Sequence, residues 1–80
     1  MSQQHPSILR RGDKGAEVER LQGDLSYLGY DLGPAGVDGI FGEYTEKAVK
    51  AFQKDSNITV DGIVGPETGR ALGARLAAKA

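Results

Sequence analysis

"VDGIFGEYTEKAV", Val37 to Val49, is followed 23 positions later by "VDGIVGPETGRAL", Val60 to Leu72. The two stretches share Val, Asp, Gly, Ile, Gly, Thr and Ala in register, and most of the other positions are conservative. In each copy Asp-Gly is a turn dipeptide. Its aspartate can accept from the backbone two residues on, and its glycine supplies a positive φ. The flanking Val and Ile are apolar and predict a turn pinned to the core on both sides. The next glycine, Gly42 or Gly65, is an acceptable helix N-cap, and Pro66 suits a first helical position. Thr45 and Thr68, at the third helical position, can pair end groups. Every repeated residue has an architectural role, so the repeat describes a fold element used twice.

Outward from the repeat, the spacing predicts three helices and no sheet. The first runs from about Ala16 to Leu28, with Val18, Leu21, Leu25 and Leu28 on one side. The second runs from about Glu43 to Asp55, with Tyr44, Ala48, Val49 and Phe52 as its stripe. The third runs from Pro66 toward the end, with Ala71, Leu72 and Leu76 apolar. Gly15, Gly42 and Gly65 precede them alike, and Glu17, Glu43 and Glu67 place an acid at each positive helix end. Gly29 and Asn57 are suited to left-handed C′ positions. Gly23, Gly69 and Gly73 weaken helix interiors, and the four-residue spacing of Gly69 and Gly73 leaves room for a close helix approach. The fold class is all-α: a small three-helix bundle with two similar Asp-Gly loop-helix repeats. It occupies residues 8–77, with a disordered tail at 1–7 and a frayed C-terminus at 78–80.

Composition narrows the function. Of the 80 residues, 39% are apolar and 26% charged, and the net charge is −1, which disfavours a nucleic-acid partner. No apolar run approaches a membrane span, and "MSQQHPS" lacks the charged head and apolar body of a signal peptide. There is no cysteine. Asp38 and Asp61 each follow a valine rather than sitting among alternating oxygen ligands, so a calcium loop is excluded and no metal or other cofactor is expected. His5, the single histidine, lies beside Pro6, and no serine sits in a nucleophile turn. No catalytic residue is assigned, and the chain is expected not to be an enzyme by itself.

The copies differ at "IFGEY" against "IVGPE": Phe41 and Tyr44 stand where the second copy has Val64 and Glu67. The first copy also follows "GYDLGPAG", a long connection of the kind that often carries function. Tyr30, Phe41 and Tyr44 lie in or beside it. Phe41 and Tyr44 are either core anchors for the second helix or walls of a shallow aromatic groove. In the latter case backbone N–H groups at the helix start would favour a carboxylate.

"LRRGDKGAEVERLQGDLSYLGY", "VDGIFGEYTEKAVKAFQ" and "VDGIVGPETGRAL" together resemble the peptidoglycan-binding domain of the PG-binding-1 family, from Leu9 to about Leu76. The resemblance implies a three-helix module that binds bacterial peptidoglycan, by stem peptide or glycan, and targets an attached or partner wall-hydrolysing enzyme, such as those of phage endolysins. It implies a monomer at the cell wall, in the periplasm or outside the cell. The family's proposed surface carries over to Tyr30, Asp38, Gly39, Ile40, Phe41, Gly42, Tyr44 and Thr45. The "DLGPAG" segment is longer than in many members. Gly69 follows Thr68 where many carry tryptophan, so no aromatic wall is expected from the third helix. The alternative is a protein–protein interaction or inhibitory pro-segment domain on the same fold, although the cysteine of the metalloproteinase pro-segments is missing.

Overall fold

The computed structural model describes residues 8–79. Helices α1 (Ala16–Tyr27), α2 (Glu43–Asp55) and α3 (Pro66–Lys79) follow one another, with no strand among the described residues beyond two isolated antiparallel bridges. The expected tail at 1–7 and the last residue of the expected 78–80 end lie outside the described residues.

α1 and α2 begin at Gly15 and Gly42, neither helped by a side-chain cap. Both end in the same way. Gly29 takes φ 96° and Asn57 φ 58°, the left-handed C′ conformation anticipated for them. Around Gly29, its own N–H donates to Ser26 O (2.9 Å) and the Tyr30 N–H to Leu25 O (2.9 Å). Around Asn57, the Asn57 N–H donates to Lys54 O (3.2 Å) and the Ile58 N–H to Gln53 O (3.1 Å). These paired bonds form a Schellman motif, which satisfies carbonyls the helix leaves open. The residue after each C′ position, Tyr30 or Ile58, then packs against the core.

That core takes Val18, Leu21 and Leu25 from α1 and Ala48, Val49 and Phe52 from α2. Leu32, Phe41 and Val64 enter it from the connections, and Leu72 from α3. Two expectations are corrected. Tyr44 is off the buried stripe, because its ring lies over Gly33 at the surface; a Cβ at Gly33 would meet it at 2.5 Å. Gly69 and Gly73 mark no close helix approach, since a Cβ at each would meet nothing within 4 Å.

The segment before α1 binds both copies of the repeat. Leu9 and Val64 exchange two backbone hydrogen bonds (3.1 and 2.9 Å), which ties it to the second copy. Gly12 N–H donates to Phe41 O, Phe41 N–H to Asp13 O and Gly15 N–H to Gly39 O, each at 2.9 Å, which ties it to the first. One strap therefore fixes the two Asp-Gly turns relative to each other.

Candidate functional site

The two turns are built around buried glutamines. Gln22 of α1 and Gln53 of α2 are both fully buried. Gln22 Oε1 accepts from the N–H groups of Asp38 (3.0 Å) and Gly39 (2.7 Å). Its Nε2 donates to Asp38 Oδ1 (3.0 Å), Ile40 O (2.9 Å) and Thr45 Oγ1 (2.9 Å). Gln53 repeats the set on Asp61, Gly62, Ile63 and Thr68, with distances of 2.9–3.0 Å. Each amide thus has its donor and acceptor ends occupied, the condition under which a polar group can sit in a core without a desolvation penalty.

Within each turn the aspartate behaves as the dipeptide predicts. Asp38 Oδ1 accepts from the Ile40 N–H (3.0 Å) and Asp61 Oδ1 from the Ile63 N–H (2.9 Å). Gly39 and Gly62 take φ 79° and 75°. These backbone bonds, with the glutamine amide second, hold both carboxyls below the usual carboxylate range. The expected apolar pin is not what holds the turn. Val37, Ile40 and Val60 are each about half exposed, and the glutamine supplies the anchor instead.

The turns differ in what surrounds them. Gln22 and Asp38 are 16 positions apart, Gln53 and Asp61 only 8. The additional chain, through "DLGPAG", folds back beside α2. Asp31 Oδ1 accepts from the Gly33 N–H (2.8 Å), and the Gly36 N–H donates to Gly33 O (3.2 Å). Gly33 and Gly36 have positive φ, and the Tyr44 ring covers Gly33. Between this loop and the start of α2 lies an open cavity of about 90 Å³. It is smaller than the roughly 300–1,000 Å³ of pockets that enclose a small molecule. A groove of this size suits one edge or branch of a polymer.

Of the residues expected at a site, Asp38, Ile40, Gly42, Tyr44 and Thr45 line this groove, joined by Leu32, Ala35, Gly36 and Glu43. Ile40 and Tyr44 are 55% and 50% exposed, a usable apolar rim. Glu43 pairs with Lys47 (3.4 Å), whose ammonium also lies 5.6 Å from the Tyr44 ring centre. The first turn of α2, which lines the groove, has no side-chain cap.

Tyr30, Gly39 and Phe41 are not part of the groove lining. Phe41 is a core anchor, 1% exposed. Tyr30 stands edge-on to Phe52 (5.8 Å, 80°) and donates its hydroxyl hydrogen to Asp55 Oδ2 at 2.7 Å. Burial, and then the bond to Asp55, raise its pKa above the ordinary phenol value. Arg75 reaches over the Phe52 ring (5.3 Å) to Tyr30 Oη (3.4 Å) and Ser56 Oγ (3.3 Å). Tyr30 therefore joins α3 to the end of α2. The three aromatics do not form one wall.

Residues 14–72 match the model of the family described as "Putative peptidoglycan binding domain". The chain belongs to this family. It is 46% identical over 68 residues to the N-acetylmuramoyl-L-alanine amidase CwlL of Bacillus licheniformis, covering 85% of this chain and 19% of the amidase. A probable amidase of the same species is 42% identical over 73 residues, 91% of this chain and 21% of that protein. The chain thus spans about a fifth of the length of these relatives. Among solved structures, the SleB N-terminal domain superposes with a TM-score of 0.81 at 36% identity, covering 88% of this chain and 93% of that one. A Burkholderia AP3 phage endolysin gives 0.78 at 43% identity, covering 85% and 25%. The all-α fold is thus that of the peptidoglycan-binding domains, and in these relatives the domain accompanies wall-hydrolysing enzymes.

Proposed function

We propose that this peptidoglycan-binding domain is a non-catalytic targeting module that takes wall polymer into the groove beside the first Asp-Gly turn. The observation that carries the reading is the groove at the first copy, where exposed Ile40 and Tyr44 rim the start of α2. Its apolar rim suits a sugar face or a stem-peptide side chain. The uncapped first turn of α2 offers backbone donors to a carboxylate. The ligand is the stem peptide, the glycan, or both at once.

A groove this small gives weak single-site binding. Peptidoglycan offers many neighbouring sites, and an attached or associated hydrolase would be held near its substrate by effective concentration. The domain would act as a monomer wherever the wall is accessible, in the periplasm or outside the cell. No helix among the described residues is long and apolar enough to cross a membrane.

The isolated chain is expected to co-sediment with purified peptidoglycan and to leave the turbidity of the suspension unchanged. Clearing of the suspension would overturn the non-catalytic reading, and no retention at low salt would overturn the binding reading.

A further inference from the structure

Among aspartyl dipeptides, Asp-Gly is the one at which a chain most readily rearranges, because glycine puts no side chain in the way. In that reaction the glycine nitrogen attacks Cγ of the preceding aspartic acid. An N–Cγ bond forms, the carboxyl OH leaves as water with the amide proton, and a five-membered succinimide remains. Water then opens one of the two imide carbonyls. One opening returns aspartate. The other leaves isoaspartate, in which the backbone runs through the side-chain carbon. No oxidant or second reactant is needed.

This chain carries two such dipeptides, Asp38-Gly39 and Asp61-Gly62, and both are in fixed turns. We propose that Gln22 and Gln53 are chemical guards as well as anchors, each blocking succinimide formation at its own turn, and that Asp38 is the site where isomerisation first breaks through. The geometry holds each reacting group. The nucleophilic nitrogen, Gly39 N, has its proton directed at Gln22 Oε1 at 2.7 Å; Gly62 N has its proton directed at Gln53 Oε1 at 3.0 Å. The electrophile is held too. Asp38 Oδ1 is fixed by the Ile40 N–H and Gln22 Nε2, and Asp61 Oδ1 by the Ile63 N–H and Gln53 Nε2. The same bonds favour the carboxylate over the carboxylic acid that can lose water. Attack therefore requires the turn to leave its glutamine.

The two sites are not equally covered. Gly62 is buried beneath α2, where an added Cβ would come within 3.0 Å of Glu46 Cγ and 3.1 Å of Lys50 Cε. A Cβ added at Gly39 would meet only Gly15 O at 3.6 Å and Glu19 Cβ at 3.9 Å. Opening of the second turn must displace the side chains of Glu46 and Lys50, whereas in the first turn Asp38 and Ile40 border the open groove. Isomerisation at Asp38 would lengthen the backbone between Val37 and Ile40 and so move the groove rim. Only that consequence for wall binding rests on the reading above; the chemistry does not.

The test is to incubate the wild-type chain, Gln22→Ala, Gln53→Ala, the core variant Leu72→Ala and a synthetic peptide of residues 36–43 at neutral pH. Isoaspartate is then assigned site by site by peptide mapping. The wild-type chain is expected to isomerise at least about tenfold more slowly than the peptide, because reaction waits on local opening, with Asp38 ahead of Asp61. Gln22→Ala is expected to accelerate Asp38 selectively and Gln53→Ala to accelerate Asp61 selectively, each by about tenfold or more. Leu72→Ala is expected to speed both sites together. A wild-type rate equal to the peptide's, or a Gln22→Ala profile indistinguishable from that of Leu72→Ala, would overturn the proposal.

Discussion

The two Asp-Gly turns share a hydrogen-bonding skeleton and differ in what lies beside it. In both, a buried glutamine holds two backbone N–H groups, a carboxylate, a carbonyl and a threonine. In the second copy Gly62 is buried against Glu46 and Lys50, and the connection is short. In the first, the longer connection folds over Tyr44 and leaves a groove with Ile40 at its edge. The repeated skeleton builds the fold, and the extra chain between one glutamine and its aspartate forms one side of a groove.

The sharpest way to break this comparison is to remove the glutamines. Gln53→Ala is expected to cost about 3 kcal/mol or more, since it strands several buried donors and acceptors at about 1–3 kcal/mol each. Gln22→Ala should cost somewhat less, because its turn is nearer solvent and water can replace part of the amide. Urea midpoints measure both; negligible losses would show that the turns are held by something else, and equal losses that solvent access does not distinguish them.

A loss of similar size tests the aromatic asymmetry. Phe41→Ala should destabilise by about 3–5 kcal/mol as a core truncation. Tyr44→Ala should change stability by under about 1 kcal/mol while weakening retention on peptidoglycan by about tenfold. A mirror substitution sharpens the point. Glu67→Tyr gives the second copy its aromatic but no opposing loop, so it is expected not to restore retention to Tyr44→Ala. Restored retention would show that the aromatic alone, rather than the loop, makes the site.

The smallest expected effect is one the copies should share. Asp38 and Asp61 both have folded pKa values below those of the unfolded chain. Their contribution to stability is full above the unfolded value near 3.9 and is lost as pH falls through the folded values. Asp38→Asn and Asp61→Asn should each flatten the acid side of the stability profile by a similar amount. A profile flattened by only one of them would mean that the two skeletons are not equivalent.

Much of this was legible in the sequence. Gly29 and Asn57 as helix ends, the positive φ of Gly39 and Gly62, and the aspartate bond two residues on all follow from local backbone chemistry. Tertiary packing decided the rest. Val37, Ile40 and Val60 are apolar yet exposed, because the polar anchor leaves them free to point outward. Gln22 and Gln53 carried a signal that went unused. Each falls four residues after a buried valine, Val18 or Val49, on the apolar stripe of its helix, where an uncharged amide has to find partners. The long connection and Tyr44 did point to the groove. Tyr30 did not, because its hydroxyl is bound to Asp55 at the far end of α2, and no spacing rule expresses that pairing.

The most direct test of the functional claim is a residue-resolved amide shift titration of the isolated chain with defined stem peptides and glycan oligomers. The amides of Ala35, Ile40, Gly42 and Tyr44 are expected to move together while those of Ile63, Gly65 and Glu67 stay in place. Shifts centred on the second turn, or on a helix face away from both turns, would contradict the account.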